Sequence, residues 1–507
     1  MQIRNKFTGW LTLAVFATVG GAMVAADPAF AKVDVDKLTV SGEARIRYEY
    51  RVGATFGGTQ ANESAASHRI RVGIGYDLTP DVGFFAQFQD ARVYGSEGCA
   101  FAPAATAGNG CATTGIGAVS SANNSGTGVD LHQGYILVKN AGAQGLSLKL
   151  GRQEIIFGDH RLFGHFGWSQ IGNSFDGARG TWASKMADVD LFWARISDND
   201  GAAAGSTAGV IFPAAGQQGT DDQDIFGAYV TLKPVANWTI EPYWFLLTDG
   251  RTSAGAAAAT YTTQAPNQHR HTLGGRINGK AGGLDATAEG AWQFGSVSSG
   301  VAGGLAGNQY RDLHINAHAE AVKVGYTMAA VPMKPRIGVE FNYASGDGDN
   351  ASSAAGAGNR GNMNTFDNLF PTNHFHYGYM DLMAWKNMVN YQVMFDVKPS
   401  DVSKFQINFI WHRLANTRDN WYRAGQVAYA TSAASNQAAS IGQELDIHYW
   451  HTFKEKFKFE VGYGHFFTGE YLEKLATKNT TGAPTSTATF TSNGDQNWGY
   501  VMTSVLF

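Results

Sequence analysis

Cysteine is almost missing from this chain, with two among 507 residues. That is too few for a disulfide scaffold or a four-thiolate zinc site. Charge is sparse as well: Asp, Glu, Lys and Arg make up 16% of the chain and leave a net charge of −4. A balance so close to neutral gives no footprint for binding nucleic acid. Long apolar runs are absent beyond residue 31; no window approaches the ~18 uninterrupted apolar residues of a membrane-spanning helix. A mean hydropathy of −0.20 would pass for a soluble protein. Glycine is plentiful instead, at 63 residues, beside 31 Phe and 20 Tyr, and it shows no collagen period. A length near 500 points by itself to two or more domains.

The N-terminus carries Arg4 and Lys6, an apolar run from Trp10 to Ala26, and then Ala29-Phe30-Ala31. A basic segment, an apolar segment and a small-x-small site form a secretory signal peptide. The run is short for a membrane anchor. The expected plan is a signal peptide over 1–31 and one domain over 32–507. Removing the leader takes Arg4, Lys6 and Asp27 and shifts the net charge from −4 to −5. At the other end, Val501–Phe507 alternates and closes on an aromatic residue, like the C-terminal signal of bacterial outer-membrane barrels.

Period two dominates between these ends. From Leu38 to Val52 the even positions read Leu, Val, Gly, Ala, Ile, Tyr, Tyr, Val, and the odd face carries Glu43, Arg45, Arg47, Glu49 and Arg51. Such a strand is too long and too charged on one face for an ordinary soluble sheet. In a barrel wall the even face meets lipid and the odd face a wet lumen. Ile70, Val72, Ile74 and Tyr76 likewise oppose Arg69, Arg71 and Asp77. Leu284, Trp292 and Phe294 oppose Asp285, Glu289 and Gln293, and Ile337, Val339 and Phe341 oppose Arg336 and Glu340. Leu313, Ile315, Ala317 and Ala319 oppose His314, Asn316, His318 and Glu320, which predicts lipid on the Leu313 side.

Short connections fall near 79–81, 140–145, 184–188, 234–237, 279–283, 330–334, 399–403 and 454–456, and long ones separate them near 53–67, 94–128, 157–173, 198–223, 249–267, 295–310, 345–385, 414–440 and 467–495. Eight short turns interleaved with nine long loops join eighteen strands. The expected fold class is all-β: a transmembrane antiparallel barrel with short periplasmic turns, long external loops, outer-membrane lipid around it and both termini on the periplasmic side. One strand conflicts with this pattern. If Leu146, Leu148 and Leu150 face lipid, so do Arg152 and Glu154, and a one-residue bulge at Gly151 is the predicted remedy.

Gly151-Arg-Gln-Glu-Ile-Ile-Phe-Gly-Asp159-His-Arg161-Leu, then Trp168 and Ser174-Phe-Asp176-Gly-Ala-Arg179, resembles the alginate export family of outer-membrane barrels. Glu340-Phe-Asn-Tyr-Ala-Ser-Gly-Asp347-Gly-Asp349, Tyr377-Gly-Tyr-Met-Asp381, Leu414–Tyr422 and Glu444-Leu-Asp446 continue the likeness, which spans nearly the whole chain after the leader. The resemblance implies an eighteen-stranded monomeric channel, its lumen lined by arginines that bind an anionic sugar polymer, and periplasmic secretion partners. The alternative is a general diffusion porin for small anionic or neutral solutes.

Arginine suits carboxylates because its fork of donors matches them bidentately. Inward parity nominates Arg45, Arg47, Arg69, Arg71, Arg270, Arg276 and Arg336, and motif position adds Arg152, Arg161 and Arg179. Their expected inward partners are Glu43, Glu49, Glu154, Asp176, Glu289 and Glu340. The same charges could instead form a cross-strand ladder that stiffens the wall. Cys99 and Cys111 share one long loop, where a local disulfide is expected in an exported chain. His269/His271 and His374/His376 alternate as metal ligands can, but read as solvated loop residues. Ser345-Gly-Asp347-Gly-Asp349 starts like a calcium loop and lacks its closing Glu. No Ser-His-Asp set or Gly-x-Ser-x-Gly elbow suggests catalysis, and no metal or cofactor is expected.

Overall fold

The computed structural model describes residues 34–53, 63–94, 129–197, 222–249, 268–299, 311–348, 362–426, 428–430, 438–478 and 494–507. The signal segment, both cysteines and Asp349 lie outside them. The chain divides into two units, Met1–Leu38 and Thr39–Phe507. The described part of the first is one 3-10 turn, Val35–Lys37, where Asp34 Oδ1 accepts from the Asp36 N–H.

The second unit holds the strands β1 (Leu38–Gly53), β2 (Glu63–Asp77), β3 (Val82–Val93), β4 (Asp130–Val138), β5 (Leu146–Gln153), β6 (Phe175–Ala183), β7 (Ala187–Ser197), β8 (Gln223–Val235), β9 (Trp238–Asp249), β10 (Gln268–Ala281), β11 (Leu284–Ser299), β12 (Arg311–Thr327), β13 (Arg336–Ala344), β14 (Met388–Ser400), β15 (Ser403–Arg413), β16 (Trp421–Tyr422), β17 (Ala428–Ala430), β18 (Ser440–Phe453), β19 (Phe457–Thr468) and β20 (Gln496–Leu506). β16 and β17 pair only with each other. The other eighteen form one antiparallel sheet that closes where β1 pairs with β20, Glu43 opposite Leu506 and Gly53 opposite Gln496. Closure leaves no free edge, and every ladder hydrogen bond is made inside the wall, the condition for crossing lipid with strands. The one described helix, Glu470–Lys478, is too short to span a bilayer.

The short-turn ends are made tight by residues with positive φ, among them Asn140 at 51°, Asn237 at 67°, and Lys454 and Glu455 at 44° and 64°. The last pair matches a hairpin turn with two left-handed residues. Outward positions are apolar and exposed, including Ile46, Ile70, Ile136, Leu191, Leu273, Ile277, Val322, Ile337 and Val393. Aromatic rings flank this belt. Trp292, Tyr391, Trp411 and Phe467 lie toward the long-loop end, and Phe84, Trp182, Tyr326 and Phe457 toward the short-turn end. This is the outer surface that lipid with two wet interfaces selects.

β12 departs from the expected facing. Leu313, Ile315, Ala317, Ala319 and Ala321 are buried and point inward, where Met363 packs on Leu313 and Ile315, while His318 and Glu320 face out as a 2.8 Å pair. Apolar residues mark an interior as readily as a lipid face when a loop fills that interior. The interior is indeed filled. The segments 154–174, 362–387 and 414–426 fold into the barrel and carry much of its largest apolar cluster, with Phe163, Phe366, Tyr377, Trp385 and Trp421 all at 0% exposure. Phe157 stacks on Tyr229 of β8 at 4.5 Å, so the loops pack directly against wall side chains.

Candidate functional site

Period two places Arg45, Arg47 and Arg51 on the inner face of β1, and Arg69 and Arg71 beside them on β2. All five are at least nine-tenths buried. Successive inward side chains on one strand lie roughly 6–7 Å apart, so the five guanidinium groups form a fan over one stretch of wall. The β5–β6 loop comes down onto this fan. Arg45 donates to Gly167 O at 2.8 Å, Ser169 O at 2.7 Å and Gln170 Oε1 at 2.7 Å. Arg47 donates to Trp168 O at 2.7 Å, Arg69 to Ser169 O at 2.9 Å and Arg71 to Ile171 O at 2.9 Å. Gly172 makes the approach possible: its φ is +78°, and a Cβ there would sit 2.9 Å from the Arg71 guanidinium.

Three carboxylates partner the fan. Glu49 lies 2.7 Å from Arg47, Glu43 2.6 Å from Arg69, and Glu154 3.1 Å from Arg71. Among the described residues neither Arg45 nor Arg51 has a carboxylate within ion-pair distance; Arg51 donates to Gln496 Oε1 and Met380 O. The wall at β1 and β2 therefore holds five cations against three anions. Trp168 is clamped between the Arg47 guanidinium, 4.0 Å from its ring, and the stacked His374 ring at 4.0 Å.

A second network ties the same loop to β13. Arg161 is 1% exposed and donates to Glu340 at 2.6 Å, Asn342 at 2.9 Å and the Tyr377 hydroxyl at 3.0 Å, with Asp159 at 3.3 Å. Burial works against the ionised form of Asp159, but Arg161, His376 and Arg276 outweigh it and hold the carboxyl well below its usual range. Burial, reinforced by Arg161, pushes the His376 imidazole down to about 4. The neutral ring donates through Nε2 to Asp159 O at 2.7 Å. Arg276 pairs with Glu241 at 2.8 Å, and the Tyr243 hydroxyl donates to Glu289 at 2.9 Å. Nearer the short turns, Arg179 pairs with Asp190 at 2.8 Å, and Arg336 with Asp285 at 2.6 Å and Asp396 at 3.2 Å. Arg270, fully inside, donates to Gln293 at 2.8 Å.

Two nominated residues do not line the lumen. The β4–β5 and β5–β6 registers run unbroken through Gly151, so the predicted bulge is absent. The irregularity falls in the neighbouring strand, where His132 is extruded between Leu131 and Gln133 opposite Phe88 and Gln87. Arg152 therefore stays on the outer face with Leu148 and Leu150. It is tolerated there because it meets Asp176, also outward, in a two-pronged pair at 2.7 Å, close to the long-loop rim. Glu154 lies beyond the last strand residue and turns inward to Arg71 and His132.

The histidines read as solvated divide. His374 and His376 are buried among the inward loops, while His269 is exposed and His271 half-buried. Among the described residues no group of three or more His, Cys, Asp or Glu is arranged to hold a metal ion. Asp347 is a staple at the strand exit, accepting from the Asn364 N–H at 3.1 Å while its own N–H donates to Asp419. Three inward groups escaped the sequence reading. Gln170 completes the Arg45 contacts, and Glu444 and Asp446 on β18 accept from the Met380 and Tyr379 N–H groups at 2.8 and 3.2 Å. Inward parity on β18 would have found the two acids; nothing local marks Gln170.

A closed eighteen-strand wall, an apolar outer belt between aromatic rings and a charged interior with inward loops define an outer-membrane channel of the porin type. The fold is similar to that of OccAB1 from Acinetobacter baumannii, at a TM-score of 0.52 and 11% identity, covering 95% of this chain and 99% of that one. It is also similar to Pseudomonas aeruginosa OpdQ, at 0.51 and 12%, covering 93% and 98%. No curated protein matches the chain in sequence. Residues 36–485 match the alginate export family, and the chain belongs to it.

Proposed function

We propose that this channel passes an anionic polysaccharide, alginate-like, or its oligomers across the outer membrane. The observation that carries this reading is the charge imbalance on β1 and β2, where five buried arginines face three carboxylates in a chain whose overall charge is −4. Buried charge is normally compensated, and rings or fans of one sign at a constriction are the ordinary origin of pore selectivity. Arginine's fork fits the carboxylate that each uronate residue carries. Family membership supports the same reading.

The test is planar-bilayer conductance of the full chain with alginate oligomers added to one side. Anion-selective current, blocked by uronate oligomers and not by neutral oligosaccharides of equal length, is the expected result. Cation-selective current that polyuronates leave untouched would refute it, and anion-selective current without that block would favour a general diffusion porin for small anionic or neutral solutes.

A further inference from the structure

We propose that the β5–β6 loop is a gate opened by the anionic ligand itself, its main-chain carbonyls occupying the arginine fan in place of the ligand's carboxylates. The proposal rests on the anionic-cargo reading above and adds a regulatory step at the same site. Three of the five fan arginines already have an acid. Arg45 has none within ion-pair distance among the described residues: it is 4% exposed, every oxygen it hydrogen-bonds is neutral, Gly167 O, Trp168 O, Ser169 O and Gln170 Oε1, and Glu43 and Glu460 attract it only from farther off. A buried guanidinium bonded only to amide and peptide oxygens is an anion site filled by weaker surrogates, since a carboxylate adds charge–charge attraction and a bidentate fit that a neutral carbonyl lacks.

The loop is built to leave as a unit. Carbonyls at 167, 168, 169 and 171 all face arginines of two adjacent strands, so one incoming carboxylate at Arg45 competes with several at once. Both ends of the piece carry left-handed backbone, Phe166 at φ 46° and Gly172 at φ 78°. Such positions absorb the dihedral changes of a hinge, and the non-glycine one is strained where it stands. Opposing release are the Trp168 clamp between Arg47 and His374, the Gln170 donation to Ser67 Oγ at 2.7 Å, and the Phe166 N–H donation to Thr372 Oγ1 at 3.0 Å. These holds are neutral hydrogen bonds, ring contacts and one cation–π contact. They set a closed resting state that a multivalent anion can overcome and a neutral sugar cannot.

The experiment uses the full chain in proteoliposomes with Ser169→Cys and an uncharged thiol reagent, the parent chain labelled in parallel as background. Alginate tetramers should raise the labelling rate with saturation, and a neutral tetrasaccharide at equal ionic strength should not. Arg45→Gln, which keeps amide donors without the charge, should raise the resting rate roughly tenfold, the difference between charged and neutral hydrogen bonds, and abolish the tetramer's effect. Arg45→Lys keeps the charge and should retain part of it; heat-modifiable gel mobility reports that each variant still forms its barrel. If tetramers block current while labelling at position 169 stays unchanged, the gate is wrong and the cargo reading stands. If they neither block nor accelerate labelling, the cargo reading fails and the gate with it.

Discussion

Replacing Arg161 with Met would remove a cation buried among the inward loops. Glu340 is its closest partner, at 2.6 Å and with a side chain 1% exposed, and Asp159, Asn342 and Tyr377 lose a donor with it. Stranding a buried acid commonly costs about 3–5 kcal/mol. Here Lys323 still reaches Glu340 at 3.2 Å, which lowers the expectation to about 2–3 kcal/mol, at the bottom of that range or just under it. The wall itself does not depend on Arg161, so the loss belongs to the loops. Hydrogen exchange in 159–163 and 366–378 should speed up on the order of 100-fold, while exchange in the strands changes little. The decisive arm is the double variant R161M/E340Q, which removes the charge that R161M strands at Glu340. It should recover a large share of the loss, as coupled neighbours do in a double-mutant cycle. A double variant as damaged as R161M, or an R161M chain with unchanged loop exchange, would refute the view that this ion pair fastens the loops.

Other outcomes follow from the same geometry. His376, held near 4, binds a proton less readily in the folded state than an ordinary histidine near 6.5. Its contribution is therefore present above about pH 6.5 and is lost as pH falls toward 4, an effect of about 3 kcal/mol at most. Acidification should loosen the loops by exchange, and His376→Gln should flatten that pH dependence. Arg152→Met should leave ion selectivity in bilayers unchanged because the side chain faces outward; a clear loss of anion preference would contradict the assigned register. Gly172→Ala should destabilise the closed loop by about 1–3 kcal/mol through its left-handed backbone, and raise the open-channel conductance, read in the same bilayers.

The filled interior changes what conduction requires. The segments 154–174, 362–387 and 414–426 are packed to full burial at Phe163, Phe366, Trp385 and Trp421. They are stapled to the wall by side chains as well as apolar contact, with Glu444 and Asp446 holding Met380 and Tyr379 by their backbone N–H groups. The wall and the inward loops are thus two layers with different work. The first satisfies the bilayer, and the second fills the lumen it encloses.

Period two was enough to find the strands and the inner face of β1, β2, β10, β11 and β13, because alternation is a local consequence of the pleat, and the interleaving of short turns with long loops supplied their count. It placed Arg45, Arg47, Arg69, Arg71, Arg276 and Arg336 on the side where the structure has them. The motif residues Arg161 and Arg179 also point inward, Arg161 from a loop that periodicity could not orient. Local pattern failed where facing depends on something distant. β12 was turned round because Met363 and its loop, remote in sequence, offer Leu313 and Ile315 an apolar interior. Arg152 was turned inward to spare lipid a charge, when Asp176 on the next strand neutralises it where it lies. The carbonyls that fill the arginine fan, and the lack of an ion-pair partner for Arg45 among the described residues, appear only once the β5–β6 loop is folded against β1 and β2. A chain's own alternation dictates which side of a wall a residue can take. What fills the space on that side is decided by segments brought together from far along the chain.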